Sequence, residues 1–405
     1  MTPDAAQAGR RRRVDFAWEL GGGTGHVAML LPLARAMRAR GHEVRLLLRE
    51  TGAAAGLGAG TGIACEPAPV WAGPVREANP LNFGEILSNF GYQYPNALRR
   101  LVEAWRERLA GSAAVVANVA PAAHIAARTL GIPSFEASQG FHVPPPALPC
   151  PPLRDWEPAP RARLEAADRA VLAAINAVLA SHGAAPLASV GELFEGRSML
   201  LTYPELDIYS ERGPAEYFGI PETGEGRDEP PWPEGAGLRA FAYVYRYYPG
   251  LEALIETLER MRISTLMLCR DIDPALRARR VGGTVRIALA PMAASSLLPQ
   301  ADIVICHGSH QMSAQALLAG RPLLMLPTQL EQFLITRRVV RMGAGLGIAP
   351  ETARPDFGAA LAALGQGGYG DAARAFARRY AAQDRRAALA TVVARCEQAM
   401  AGLAA

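Results

Sequence analysis

The sequence predicts an α/β protein of two domains, each built on a mainly parallel sheet. Three observations carry that expectation. The chain has 405 residues, which suits two domains better than one. Apolar runs of strand length alternate with helical stretches, the order that gives βαβ units. The alternation starts twice, on either side of residues 213–237, which are dense in Pro, Gly and Glu.

The first unit opens with Val14 to Leu20, a short apolar run suited to a buried parallel strand. Gly21-Gly22-Gly23-Thr24-Gly25 turns the chain into a helical stretch with Val27, Leu30, Leu31, Ala34 and Met37 on one face. Gly41 stands where a helix-ending glycine belongs, and Glu43 to Leu48 reads as the next strand. A second unit has Ala113 to Ala117 as strand, Pro121 to Leu130 as helix and Ile132 to Phe135 leading into a strand. Between the two, Asn79 to Leu98 is rich in Asn, Phe and Tyr and reads as a lid or pocket-lining insertion, neither strand nor clean helix. Pro144 to Pro160 is irregular, Arg161 to Ser181 helical, and Leu200 to Tyr203 the last strand of the first domain. In the second domain Leu238 to Tyr245, Thr265 to Cys269, Val285 to Leu289 and Ile303 to Cys306 read as strands, with Gly250 to Met261 as a helix. Asp371 to Ala401 reads as one long helix-compatible run. The boundaries expected are 1–13 tail, 14–212 first domain, 213–237 linker, 238–380 second domain and 381–405 C-terminal helix.

Half of the residues are hydrophobic and 20% are charged, ordinary for a globular protein with a sizeable core. A net charge of +4 is too small to argue for nucleic acid or a membrane as the main partner. Every amine-type cation is Arg, since the chain has no Lys, so Schiff-base chemistry on a lysine is excluded. Cys65, Cys150, Cys269, Cys306 and Cys396 lie far apart with no CxxC pair, which fits free thiols in a reducing, cytoplasmic setting. Arg10 to Arg13 close a polar N-terminal stretch read as a solvated tail, with an anionic-surface anchor as the lesser reading. No apolar run reaches signal-peptide or transmembrane length.

The richest segment is Ala301 to Gly347. Ala301 to Cys306 is a buried strand ending in the small polar turn His307-Gly308-Ser309, and helix-compatible residues Ser313 to Leu318 follow. A helix N-terminus there presents backbone N–H groups and the positive end of its dipole to an anion. His307 adds a side chain able to meet a phosphate. The strand Leu323 to Leu326 ends at Pro327, and Glu331-Gln332 follows, at the end of the strand where parallel sheets place ligands. A carboxylate beside an amide suits sugar hydroxyls.

These words resemble the family-1 type of GT-B glycosyltransferases, which includes plant, macrolide and glucuronosyl transferases. The residues that carry the likeness are His307-Gly308-Ser309, Ser313, Gln315-Ala316-Leu317, Gly320-Arg321-Pro322, Glu331-Gln332 and Gly343 to Gly347. The resemblance implies two facing Rossmann-like domains with the C-terminal helix packing back on the first. It also implies diphosphate contacts from His307, Gly308, Ser309 and Ser313, and donor-sugar contacts from Glu331 and Gln332. Gln315 takes the place of the acid that binds ribose, and an amide lacks its charge-assisted strength. The usual base-stacking ring is absent from Leu289 to Met292, and Tyr243 to Tyr248 replace the usual Gly/Ser loop. Arg246 within that run suits either phosphate or base binding, or a domain-interface patch. Asp271-Ile272-Asp273 looks like the metal motif of the other glycosyltransferase fold, but stands in the wrong context for it.

Upstream, Gly22 to His26 lies between strand and helix, and glycines let the backbone approach a ligand closely. Gly25 is placed among the donor contacts. The resemblance makes His26 the base that deprotonates an acceptor hydroxyl, a role imidazole suits because it titrates near neutrality. The family's Asp partner is Asn118 here, which can orient the ring but cannot stabilise an imidazolium as a carboxylate does. Glu19 and Glu136 are candidate substitutes. Phe83, Phe90 and Tyr92 are expected at the acceptor, with His142 either beside them or a satisfied loop histidine. The implied function is inverting transfer from a UDP- or dTDP-sugar to a small-molecule or lipid hydroxyl, with no cofactor, no metal and no nucleic acid. Two alternatives stand beside it: a nucleotide-sugar epimerase or hydrolase on the same fold, and a degenerate, non-catalytic partner protein.

Overall fold

The computed structural model describes residues 11–52, 62–74, 79–209, 212–222, 229–235, 237–270, 272–278 and 283–402. The chain divides into two compact units. Met1–Tyr203, Tyr209–Thr223 and Asp384–Ala405 form the first, and Pro204–Ile208 with Gly224–Gln383 the second.

In the first unit six strands, β1 (Arg13–Trp18), β2 (Glu43–Leu48), β3 (Ala64–Pro67), β4 (Ala114–Ala117), β5 (Ser134–Ser138) and β6 (Ser198–Leu200), form one sheet in the order β3-β2-β1-β4-β5-β6. Every pair is parallel. The second unit repeats the plan with β7 (Arg239–Tyr243), β8 (Ser264–Leu268), β9 (Val285–Ala288), β10 (Ile303–Cys306), β11 (Leu323–Met325) and β12 (Gly345–Gly347), ordered β12-β11-β10-β7-β8-β9 and again all parallel. Counted within its own unit, each sheet has the doubly wound order 3-2-1-4-5-6. Such a sheet reverses direction between its first and fourth strands, and the strand ends part there to leave a crevice. The crevice lies beyond β1 and β4 in the first unit and beyond β7 and β10 in the second.

Side-chain alternation along the strands separates two cores in the first unit. Val14, Phe16 and Trp18 face the helix Gly25–Ala39, while Ala17, Val115 and Ala117 face the helices Pro95–Leu109, Pro121–Leu130 and Arg161–Ser181. The C-terminal helix Arg385–Gly402 packs back on the first of these faces through Val392, Val393, Cys396 and Met400. Full burial of an apolar side chain of Val or Met size contributes roughly 1.5–3 kcal/mol. Arg40 to Glu397 at 2.6 Å and Arg395 to Glu216 at 2.5 Å fix the helix at its rim. Pro204–Ile208 is held within the second unit because Arg338 Nε donates to the Glu205 carbonyl at 3.0 Å and Tyr380 donates to its carboxylate at 2.6 Å.

Three sequence expectations change. Asn79 to Leu98 is not an irregular insertion: it holds the helix Phe83–Asn89 and the start of Pro95–Leu109, with Phe83, Leu87 and Tyr92 fully buried. Its first helix is weakly periodic because it is short, but its start is a reciprocal cap. Asn82 Oδ1 accepts from Glu85 N at 2.9 Å and Glu85 Oε2 accepts from Leu81 N at 2.8 Å. Asp371 to Ala401 is two helices, Gly368–Tyr380 and Arg385–Gly402, because the second begins afresh at Asp384, whose Oδ1 accepts from Arg386 N and Ala387 N. The last strand of the first sheet lies at Ser198–Leu200, ahead of the expected Leu200 to Tyr203. Among the described residues no helix is long and apolar enough to cross a membrane.

Asp168, fully buried on the helix Arg161–Ser181, ties the short helix to the Pro-rich segment. Its Oδ1 accepts from Asn82 Nδ2 at 3.0 Å and its Oδ2 from Cys150 N. Asp168→Ala leaves Cys150 N unpaired and Asn82 Nδ2 with only its 3.4 Å bond to the Cys150 carbonyl, so we expect a loss of about 2–4 kcal/mol in urea unfolding. Asp168→Asn, which keeps one acceptor, should lose less.

Candidate active site

His26 sits in the first turn of the helix Gly25–Ala39, just past the end of β1, and Asn118 follows β4 directly. Register brings them together. Ala17 pairs with Ala117, and Asn118 N donates to Ala17 O at 2.8 Å. The ring nitrogen Nδ1 of His26 lies 2.5 Å from Asn118 Oδ1. An amide oxygen can only accept, so Nδ1 carries the proton and Nε2 keeps its lone pair. The amide has no freedom to turn round, because its Nδ2 donates to the Ala137 carbonyl on β5 and also contacts Met29 Sδ at 3.3 Å. Trp18 stacks on the imidazole at 4.9 Å, 20° from parallel, with its indole N–H held by Leu20 O. Gly21 has φ +83°, and a Cβ there would fall 2.7 Å from His26 Nε2. Glycine is thus required twice: for the left-handed turn and to keep the basic edge uncovered.

Burial brings the His26 pKa down from 6.5 to about 4, against the opposing Asn118 bond and with a further push from Arg49. The positive end of the helix dipole acts in the same direction. The His26 ring is therefore neutral throughout the physiological range. Glu19 and Glu136, the candidate carboxylates, are engaged elsewhere. Glu19 accepts from the Tyr92 hydroxyl at 2.5 Å and Ala122 N at 3.0 Å, and burial raises its pKa to about 8. Glu136 accepts from Val119 N at 2.7 Å and meets His124 Nε2 at 2.9 Å, with Ser134 on the other ring nitrogen. Both carboxylates serve the turn after β4. Val119, a β-branched residue at φ 55°, gives its carbonyl to Glu19 N and Leu20 N.

Of the expected acceptor residues, His142 stands nearest, its ring 6.4 Å from that of His26 and 6.3 Å from that of Phe83. Phe83 is fully buried and Phe90 half-buried against the same core. Tyr92 has no face toward a ligand: it is fully buried and its hydroxyl is donated to Glu19. Trp18 was absent from the expected set, and only the strand-to-helix geometry reveals it. Gly25 is exposed at the start of its helix.

The second unit places His307 beyond β10, beside the end of β7. Its backbone N donates to Tyr243 O at 3.2 Å and its Nδ1 to the same oxygen at 3.3 Å. Again Nδ1 holds the proton, and burial lowers the pKa to about 4 against the Tyr243 bond. Gly308 has φ +81°, and a Cβ there would meet Gln332 O and Thr336 Oγ1, each at 2.9 Å. The turn therefore lies tight against the helix Leu330–Arg341. Its own helix starts at His310, three residues before the expected Ser313, with Ser309 as a cap that makes no side-chain cap bond. Ser313 lies inside that helix, fully buried, its hydroxyl donated to Ser309 O at 2.8 Å, so in this conformation it offers no donor to a phosphate. Gln315, half-buried, is on the same helix. Glu331 is in the first turn of Leu330–Arg341, and Gln332 Oε1 accepts from Thr328 N at 2.9 Å, which leaves its Nε2 for a ligand. Tyr245, not expected here, packs on His307 with ring centroids 4.1 Å apart, and Tyr247 stacks on Tyr245 at 4.9 Å. Asp271 lies outside the described residues, and Asp273 caps the short helix Pro274–Ala278 by accepting from Ala275 N at 2.7 Å.

Residues 267–398 match the family described as Erythromycin biosynthesis protein CIII-like, C-terminal domain. No curated protein sequence matches the chain. The chain is similar in structure to the kitacinnamycin glycotransferase, at 20% identity and a TM-score of 0.67, covering 96% of this chain and 100% of that one. It is similar to the glycosyltransferase SsfS6 of Streptomyces sp. SF2575, complexed with thymidine diphosphate, at 21% identity and a TM-score of 0.63 over 96% and 100%. The calicheamicin glycosyltransferase CalG4 gives 18% identity and a TM-score of 0.67 over 95% and 98%. The resemblance to family-1-type GT-B glycosyltransferases thus holds in the matched C-terminal segment and in the fold of the whole chain.

The Ala137 carbonyl makes position 118 specific for an amide. In Asn118→Asp one carboxylate oxygen would face that carbonyl, so the acid should stay protonated with a folded pKa above its unfolded value. Stability relative to the parent should then fall as pH rises from about 4 through the folded pKa. Thermal melts from pH 4 to 8 test this, and a pH-independent difference would refute it.

Proposed function

We propose that this protein is an inverting glycosyltransferase that moves a sugar from a UDP- or dTDP-sugar to a hydroxyl of a small-molecule or lipid acceptor, without a cofactor or metal. The observation that carries the proposal is the fixed tautomer of His26: Nδ1–H is held by Asn118 Oδ1, and the Nε2 lone pair is kept uncovered by Gly21. Such a nitrogen is a base placed for one task. In the step proposed, Nε2 takes the acceptor's hydroxyl proton while the oxygen bonds to the anomeric carbon. The bond from that carbon to the β-phosphate oxygen breaks, and its electron pair leaves with the diphosphate. Attack from the face opposite the leaving group inverts the configuration.

The donor is assigned to the crevice beyond β7 and β10. The turn His307-Gly308-Ser309 and the helix start at His310 suit a diphosphate, and Glu331 with Gln332 Nε2 suits sugar hydroxyls. Gln315 is assigned to the ribose. The thymidine diphosphate held by SsfS6 supports a dTDP-sugar in particular.

His26→Ala should lower kcat by about 10²–10⁴-fold and leave the dTDP dissociation constant nearly unchanged. Transfer at the parental rate would refute the base assignment, and donor breakdown without any acceptor would favour an epimerase or hydrolase. The free His307 presents a lone pair at Nε2, and a bound diphosphate favours its protonation. Binding of dTDP should therefore take up protons near pH 7, seen by calorimetry in buffers of different ionisation enthalpy. His307→Gln should remove that uptake. Equal uptake in both proteins would refute the contact.

A further inference from the structure

We infer that the acceptor taken beside His26 is an aromatic ring bearing an acidic hydroxyl, a phenol or ring-conjugated enol, with its oxygen held between His26 Nε2 and the His142 ring. The inference rests on the transfer reading above and narrows its acceptor.

The first argument is the partner of the base, which among the described residues is an amide and not a carboxylate. The partner of His26 Nδ1 is an amide pinned by Ala137, and Glu19 and Glu136 are bonded to other groups. Among the described residues, Arg49 disfavours the imidazolium and His142, itself neutral and buried, lies beside the ring, while Glu50 stands at the neighbouring Gly22 turn. Trp18 offers the imidazolium a π face but no formal negative charge. Burial lowers the His26 pKa to about 4. A base this weak is poorly matched to an alkyl hydroxyl, which ionises only far above neutrality. A phenol ionises near 10 and closes much of the gap.

The second argument is His142. Its ring is buried and, among the described residues, its Nδ1 has no hydrogen-bond partner, an expensive condition for a polar atom. Two imidazoles sharing one hydroxyl oxygen have centroids up to about 8 Å apart at ordinary hydrogen-bond lengths, and the observed 6.4 Å fits such a bridge. A neutral His142 carries one N–H, which, turned to the oxygen, stabilises the phenolate as its proton moves to His26. The third argument is the surround. Phe141 meets His142 edge-on at 4.5 Å and Phe83 at 6.3 Å, so the polar pair is set among aromatic rings. Edges and faces of that kind favour a flat aromatic partner.

The test uses the full chain with dTDP-glucose and UDP-glucose, and two acceptors sharing one ring system, 2-naphthol and 2-naphthalenemethanol. The phenol should exceed the alkyl alcohol at least 100-fold in kcat/KM. Across substituted phenols the rate should follow acceptor pKa, and more steeply in His142→Phe, which has lost the bond to the oxygen. His142→Gln should restore part of the rate because its amide supplies an N–H, and thermal melts of both variants confirm folding. Equal or better transfer to naphthalenemethanol would overturn the inference. So would transfer confined to aliphatic alcohols in a wider panel, although the transferase reading would survive that result. No transfer to any acceptor, with no effect of His26→Ala on donor turnover, would overturn both.

Discussion

Asn118 joins three strands of the first sheet through its backbone and side chain. Its backbone leaves β4 bonded to Ala17 of β1, its Nδ2 reaches the Ala137 carbonyl of β5, and its Oδ1 holds the imidazole that begins the first helix. An amide donates from one end and accepts at the other, so the sheet sets which end faces His26. The ring tautomer follows from that, and the position of the basic nitrogen follows from the tautomer. A carboxylate in the same place would have two accepting ends, and one would oppose a carbonyl. An amide at position 118 is therefore fitted to its surroundings, with Ala137 as the complementary group.

Holding Asn118 there carries a cost. Val119 adopts a conformation that β-branched residues avoid, of order 1–3 kcal/mol. Two buried carboxyl groups offset it. Glu136 binds the Val119 N–H, and Glu19 binds the start of the helix Pro121–Leu130 while its own backbone N–H bonds the Val119 carbonyl. Burial raises the pKa of both. Glu19 and Glu136 thus hold the turn that positions the partner of His26.

The second sheet uses the same topology for a different purpose. Its crevice strands, β7 and β10, meet at Tyr243 and His307, and a backbone carbonyl takes the place that Asn118 Oδ1 has in the first sheet. Both histidines end up neutral with a protonated Nδ1. One faces an open glycine turn, while the other lies under Tyr245 and beside the tight Gly308 turn. Equal strand order thus yields two sites of similar geometry and unlike surroundings.

The strand and helix sequence, the parallel sheets and the location of His26 and His307 at strand ends were legible in the amino acids alone. These features depend on periodicity and turn chemistry within a few residues, as the helix Pro121–Leu130 illustrates. The pairing of His26 with Asn118 was legible only through resemblance, since the two are 92 positions apart and meet through strand register. Tertiary structure alone decided the rest. It buried Phe83, Leu87 and Tyr92 of Asn79 to Leu98, where the helix Phe83–Asn89 is too short to declare itself by periodicity. It withdrew Tyr92, Glu19 and Glu136 from the site by giving each a buried partner, and it placed Trp18, Tyr245 and the His142 ring beside the two histidines. Local sequence specifies which groups a strand end carries, and the packing of distant segments decides which of them remain free to react.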